Sequence, residues 1–475
     1  MPMSALHLRR ILATFGLVLG VGLLWLGIFR SVEPPMGWVD GLQPTVGHWE
    51  VDRVLVVANR NSPASLRVAQ YYMRRRRIPP DHLFTLDLPD STILPIFESI
   101  SHKTYQQKVE APLRQFLNQR HWQDQIRYVV LTKGVPLRIK EVPYRDIEGR
   151  FLRQNQSLDS TIAALDYKIS PIDFRDTEYQ QLTGKTIFGL LIPNLYWRQN
   201  YPFEHRLTGG YLVTRLDGYR EEDALALVDR ALQSRPVLTG SILLDAIGQN
   251  QSTGDPQVID IFDPQSCGVD RPTQCQLQLK GAWESFEGDY NNDLRLAQEQ
   301  IQHQFPQLQV TMAPGQSFVT GADLLGYASW GSNDESFDRR NYQSLQFRSG
   351  AIVDTLVSTS GRTFFPTRTG QSLIGDLLRD SQGVTGGRGY IDEPERQGVG
   401  SPAILLNEYF SGANLATAFY RSIRFVGWRD IVLGDPLATV VFDPQMLTQM
   451  PTQAALSADF SSLPPAPLPW EPRKS

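Results

Sequence analysis

Two stretches decide how this sequence folds: residues 324–332, LLGYASWGS, and residues 350–361, GAIVDTLVSTSG. Each is an apolar run that gives way to small and polar residues at its C-terminal end. In open α/β sheets, ligands and catalytic groups collect at the carboxyl ends of strands. As neighbouring strands, the two runs would place Trp330, Gly331, Ser332 and Asp334 beside Ser358, Thr359 and Ser360 on one rim.

Outward from this pair, strands and helices alternate. Upstream, VLVVA (54–58) reads as a buried strand, followed by Ser62 as N-cap and Pro63 at the first helical position. Leu66, Ala69, Tyr72 and Met73 give that helix an apolar face, and the arginines at 74–77 close it as a solvated end suited to the helix dipole. IRYVVLTKGVPLRI (126–139) is a strand, and the segment after it a polar loop. GGYLVTRLDG (209–218) is strand plus turn, 221–234 a helix with Ala224, Leu227, Val228 and Ala231 aligned, and GSILLDA (240–246) a strand. Downstream come a helix at 293–304, the strand LQVTMA, the opening pair, and GGRGYIDEP, a strand ending in Asp392 and Glu393. A further helix and the final strand DIVLGDPLATVVF complete the pattern. This alternation predicts an α/β protein with two Rossmann-like parallel-sheet subdomains flanked by helices. They span 53–246 and 284–444, joined by a loop-rich stretch at 247–283.

Composition narrows the partners. The 475 residues carry a net charge of −4, which gives no electrostatic footprint for nucleic acid. Residues 11–29 contain no charge and follow Arg9 and Arg10; at about 1.5 Å per residue they nearly cross a hydrocarbon core of roughly 30 Å. With no A-x-A-like cleavage site, residues 1–30 read as a short cytoplasmic tail and an uncleaved signal-anchor transmembrane helix. The expectation is a single-pass protein of the inner (cytoplasmic) membrane, with the rest of the chain on the extracytoplasmic side. Residues 31–52 read as a Pro/Gly-rich linker and 445–475 as a disordered proline-rich tail. In such an oxidising compartment, Cys267 and Cys275 are expected to form a disulfide.

No Walker A, dinucleotide, zincin or nucleophile-elbow motif is present. All seven histidines precede the rim, so a histidine there must be carried in by the fold, with His205 and His303 the candidates. YASWGS resembles the Tyr-x-Gly-His-Gly-Ser strand end of gingipain-type cysteine peptidases, and GAIVDTLVSTSG resembles the strand leading to their catalytic cysteine. LVTRLDG with the following helix, GSILLDA and LGDPL fall in corresponding order, so the resemblance runs from about residue 50 to 445 and implies a caspase-like fold. The run VANRNSP, RRRRIP, LTKGVP, TRLDG, YASWGS, GAI, DEP and GDPL also resembles a bacterial family, seen in cyanobacteria and other phyla, that has no assigned activity.

In the peptidase pattern, Trp330 stands where the histidine belongs. Ser358 (or, with a slip, Thr359 or Ser360) stands where the cysteine belongs. An indole N–H donates but accepts no proton at neutral pH, and a serine without a base is a poor nucleophile. A His-Cys peptidase so altered is expected to be inactive. Asp354 lies four residues before Ser358 in an extended strand, on the order of 13 Å away. Asp392 or Glu393 could approach from a neighbouring strand end, as acid/base groups or as ligands to a divalent cation. Asp159, Asp217 and Asp245 end strands or turns of the first half, as caps or as cleft residues.

The leading expectation is therefore a pseudoenzyme: a binding or scaffolding module for a protein, peptide or glycan, with Trp330 as pocket wall and no cofactor. The alternative is a hydrolase using Ser358 or Glu393. A third reading makes Trp330 a core residue of a structural protein.

Overall fold

The computed structural model describes residues 48–145, 150–167, 172–173, 190–233, 236–237, 239–247, 286–314 and 318–442. The expected membrane helix at 11–29, the linker to residue 47, the Cys267–Cys275 loop and the tail at 445–475 lie outside the described residues. Among the described residues, no helix is long and apolar enough to cross a membrane.

The chain is an α/β protein built on a ten-stranded, mostly parallel sheet flanked by helices. Its strands are β1 (Val54–Asn59), β2 (Leu83–Leu86), β3 (Tyr128–Thr132), β4 (Leu212–Leu216), β5 (Gly240–Ala246), β6 (Leu308–Pro314), β7 (Leu324–Ser329), β8 (Phe347–Thr355), β9 (Gly386–Tyr390) and β10 (Asp430–Gly434). Across the sheet they run β6-β5-β7-β8-β9-β10-β4-β3-β1-β2. The two halves read from sequence are two blocks of parallel strands within this one sheet. The final strand corrects the all-parallel expectation: β10 lies antiparallel to β9 and bridges to β4 through Leu433 and Arg215.

The helices used below are α1 (Pro63–Arg76), α2 (Glu221–Leu232), α3 (Phe286–Gln304), α4 (Ile374–Leu378) and α5 (Leu415–Ser422). Every residue of β1, β3, β4, β7 and β9 is buried, so the sheet is covered on both faces. Adjacent glycines in β9 show how tightly. A Cβ on Gly386 would lie 2.2 Å from Leu415 of α5, whereas one on Gly387 would face the other side, 3.3 Å from Ile374 of α4. Gly386→Ala also drives its methyl to 2.7 Å from the Leu433 carbonyl. It is expected to cost about 1–3 kcal/mol by chemical denaturation. An unchanged midpoint would show that α5 shifts freely.

Local rules set α1 as expected: the Ser62 hydroxyl accepts from the Ser65 N–H at 3.3 Å, Pro63 opens the helix, and Arg77 ends it in the left-handed region. The arginine run is not simply a solvated end. Arg76 is largely buried and pairs with Asp435 at 2.6 Å, while Tyr72 donates to the same carboxylate at 2.9 Å. α3 begins at Phe286, well ahead of the expected start at 293. The polar segment after β3 is an antiparallel pair, Arg138–Arg145 with Phe151–Ser157, outside the central sheet. Its polar character reflects partly exposed strands, not a loop.

Both blocks present their carboxyl ends on one edge. Tyr219, shortly past β4, donates to Asp376 of α4, which follows β8, at 3.0 Å. Late in α2, Arg230 donates to the Val384 carbonyl, just ahead of β9, at 2.7 Å.

Candidate functional site

β7 and β8 are adjacent and parallel, with Ser329 opposite Thr355, so the rim exists as a place in the fold. Its chemistry differs from the expectation. Trp330 is only 3% exposed and belongs to the core, not to a pocket wall. Its Nε1–H donates to Asn291 Oδ1 at 2.9 Å, and its ring meets Tyr290 edge-on with centroids 5.2 Å apart. Asn291 also accepts from the Ile247 N–H and donates to the Ile247 carbonyl at 2.8 Å, so α3 clamps Trp330 against the end of β5. The early start of α3 supplies both Tyr290 and Asn291. Gly331 has φ 50°, and a Cβ there would meet Val357 at 2.7 Å.

Ser332 and Thr359 are drawn together by the strap at 371–372. The Ser372 N–H donates to Ser332 Oγ at 2.8 Å. Thr359 donates to Gln371 at 2.6 Å, Gln371 to Asn333 at 3.0 Å, and Asn333 to the Leu356 carbonyl at 2.7 Å. Ser360 is fully buried and accepts from the Tyr390 N–H at 3.3 Å. These hydroxyls hold loops in place. Ser358 sits half-buried in a turn, and among the described residues no base hydrogen-bonds its hydroxyl.

The carboxylates do not converge on Ser358. Asp354 is buried in an ion pair with Arg388 of β9. Asp392 accepts from Asn155 at 2.8 Å, and Glu393 is exposed. Asp334 takes the Ser336 N–H at 2.7 Å on one oxygen, while its other oxygen is buried without a partner. Asp245, at the end of β5, is fully buried with both oxygens unpartnered; burial, and less strongly the Asp334 charge, pushes its pKa up to about 7. Neither candidate histidine reaches the rim. His205 is held by the Gly210 carbonyl ahead of β4, and His303 is exposed at the end of α3 ahead of β6, both at the amino edge. Among the described residues, no group of three or more His, Cys, Asp or Glu side chains is placed to hold a metal ion.

A second site, missed in the sequence, opens at the carboxyl ends of β3 and β4: a cavity of about 240 Å³. Lys133 follows β3 and donates to the Gly218 carbonyl at 2.6 Å and to Asp217 at 3.3 Å. Asp217 also accepts from Arg215 at 3.0 Å, and Arg215 grips Asp159 in a fork at 2.9 and 2.6 Å. Asp217 is thus a cleft residue and Asp159 its buried support. Glu98 completes the polar wall, accepting from the Phe364 N–H at 2.6 Å. Burial pushes its pKa up to about 6 against the pull of its hydrogen bonds. Phe364 and Phe365 come from the loop that begins at Ser358, so one loop links rim and cavity. The signals in the sequence were Asp159 and Asp217, open there as caps or cleft residues, and a lysine placed directly after an apolar strand, in LTKGVP; Glu98 gave none.

Fold and site together define an α/β protein whose rim, among the described residues, carries no acid-base pair and whose polar cavity lies beside it on the same edge. No family model matches the chain, and no curated protein matches it. Among solved structures it is similar to the complex of the RgpB pro- and mature domains of Porphyromonas gingivalis, at 12% identity and a TM-score of 0.39, over 82% of this chain and 79% of that one. It is also similar to a structure of a protease, at 10% identity and a TM-score of 0.36, over 82% of this chain and 78% of that one.

Proposed function

We propose that this chain is a binding module on a caspase-like, two-block scaffold, anchored in the inner membrane by residues 11–29 with its sheet domain on the extracytoplasmic side. It works without His-Cys peptidase chemistry. The observation that carries this reading is Trp330: the residue in the histidine's place is packed in the core, its N–H given to Asn291. A proton shuttle there would need an accepting atom open to substrate, and an indole offers none. The hydrolase alternative needs a base within about 3 Å of Ser358. None among the described residues supports it.

The ligand site is the cavity at the ends of β3 and β4. Its volume of about 240 Å³ is below the roughly 300–1,000 Å³ of drug-sized pockets. It therefore suits a small molecule, or one side chain or end group of the peptide, protein or glycan partners left open by the sequence. A small-molecule library screened by thermal unfolding tests this. Compounds that raise the midpoint should lose their effect in Ala64→Leu, which fills the cavity, and keep it in Ser358→Ala. The opposite pattern would return the site to the rim.

A further inference from the structure

We propose that the cavity binds an organic ammonium ion with an apolar body, seated on Glu98; this rests on the cavity being the ligand site. Among the described residues, Glu98 is the lining carboxylate without an ion pair, while the lining cation Arg220 pairs with Asp223 at 3.5 Å. Lys133 and Arg215 are matched by Asp217 and Asp159. Glu221 is held by Arg67 through two hydrogen bonds of 2.7 and 2.6 Å. Glu98 is 4% exposed and, among the described residues, has no ion-pair partner. Arg138 donates to Ser99 and to the carbonyls of Arg362 and Ile391, and it acts on Glu98 through its charge alone, a pull smaller than the push of burial.

A buried carboxylate without a cation is costly, and a bound ammonium group relieves that cost. Lys133 does not make the site an anion site, because its ammonium is already satisfied by Asp217 and the Gly218 carbonyl. The remaining walls suit the rest of such a ligand. Phe364 and Phe365 supply aromatic rings, which attract cations and cover apolar groups, and Tyr219 adds a third ring that already carries Arg379 over it at 5.3 Å. Between the lining residues Thr92 and Glu98, the chain exposes Ile93 at 62%, Leu94 at 50% and Ile96 at 68%. Burial holds Glu98 partly protonated near pH 6, so the ionised, binding-competent form fills as pH rises through that value.

The test is calorimetric titration of the full chain with benzylamine, which stays protonated from pH 5 to 7.5. Benzyl alcohol and benzoate serve as neutral and anionic counterparts. Expected are binding of benzylamine alone, and affinity about tenfold higher at pH 7.5 than at pH 5. Glu98→Gln should lower affinity at least about tenfold and remove the pH dependence. Benzyl alcohol binding as well as benzylamine, or benzoate binding better, would overturn the ammonium assignment; if Ala64→Leu abolished that binding, the cavity itself would still stand as the site. Benzylamine binding that Glu98→Gln leaves unchanged would also overturn it. Failure of all three probes to bind at millimolar concentration would overturn both the assignment and the choice of cavity. The alcohol and pH comparisons need no variant, so a folding defect in Glu98→Gln cannot mask the answer.

Discussion

Arg388→Met is expected to lower the unfolding free energy by about 3–5 kcal/mol at neutral pH. Arg388 lies fully buried in β9, where the two strand blocks meet. Its Nε donates to Asp354 at 3.1 Å, and a second guanidinium nitrogen binds the other oxygen of the same carboxylate. Asp430 of β10 stands beside it with both oxygens buried and unpartnered; burial pushes the Asp430 pKa up to about 7, with Arg388 pulling it down. Removing the guanidinium leaves two carboxylates in the core with no cation. Both pKa values then rise further, so protonation relieves the defect at low pH. The loss should be larger at pH 8 than at pH 5, as urea denaturation at the two values would report. A loss below about 1 kcal/mol at pH 8, the range of exposed pairs, would mean that water reaches this pair.

Trp330→Ala is the second large effect, about 3–5 kcal/mol. It leaves a void against Tyr290 and takes away the indole donor to Asn291, whose amide still ties down Ile247 at the end of β5. A tryptophan on an exposed pocket wall would behave differently, since surface substitutions usually stay within about 0.5 kcal/mol. Denaturant midpoints of the variant and the parent separate the two cases. Trp330→Phe should recover part of the loss through packing and none of the hydrogen bond.

The sequence carried much of the fold because many of its signals are local. β5 falls on GSILLDA, the Ser62–Pro63 pair starts α1, and Ala224, Leu227, Val228 and Ala231 are the buried face of α2. Contacts between distant segments were not legible. Trp330 looked like a rim residue because the turn of α3 that buries it comes from Tyr290 and Asn291, ahead of the helix that periodicity could locate. Arg215 and Arg388 sit inside all-buried strands, where Asp159 and Asp354 reach them from other segments of the chain. The union of the two blocks depended on the direction of β10, which strand composition does not encode. The site divided along the same line. The placement of β7 beside β8 was readable, but which described side chains reach Ser358 was a three-dimensional fact. Glu98 lay in a short Pro95–Glu98 turn with no motif around it, and only the Phe364 N–H and Lys133 nearby give it meaning.

We propose that the rim does no peptide chemistry. Loss of triad members in a serine protease costs up to about 10⁶ in rate. The direct measurement is mass spectrometry of a diverse peptide pool incubated with the purified full chain between pH 5 and 8. No cleavage product is expected above the background of the Ser358→Ala protein. Turnover in the parent chain that Ser358→Ala abolishes would contradict it.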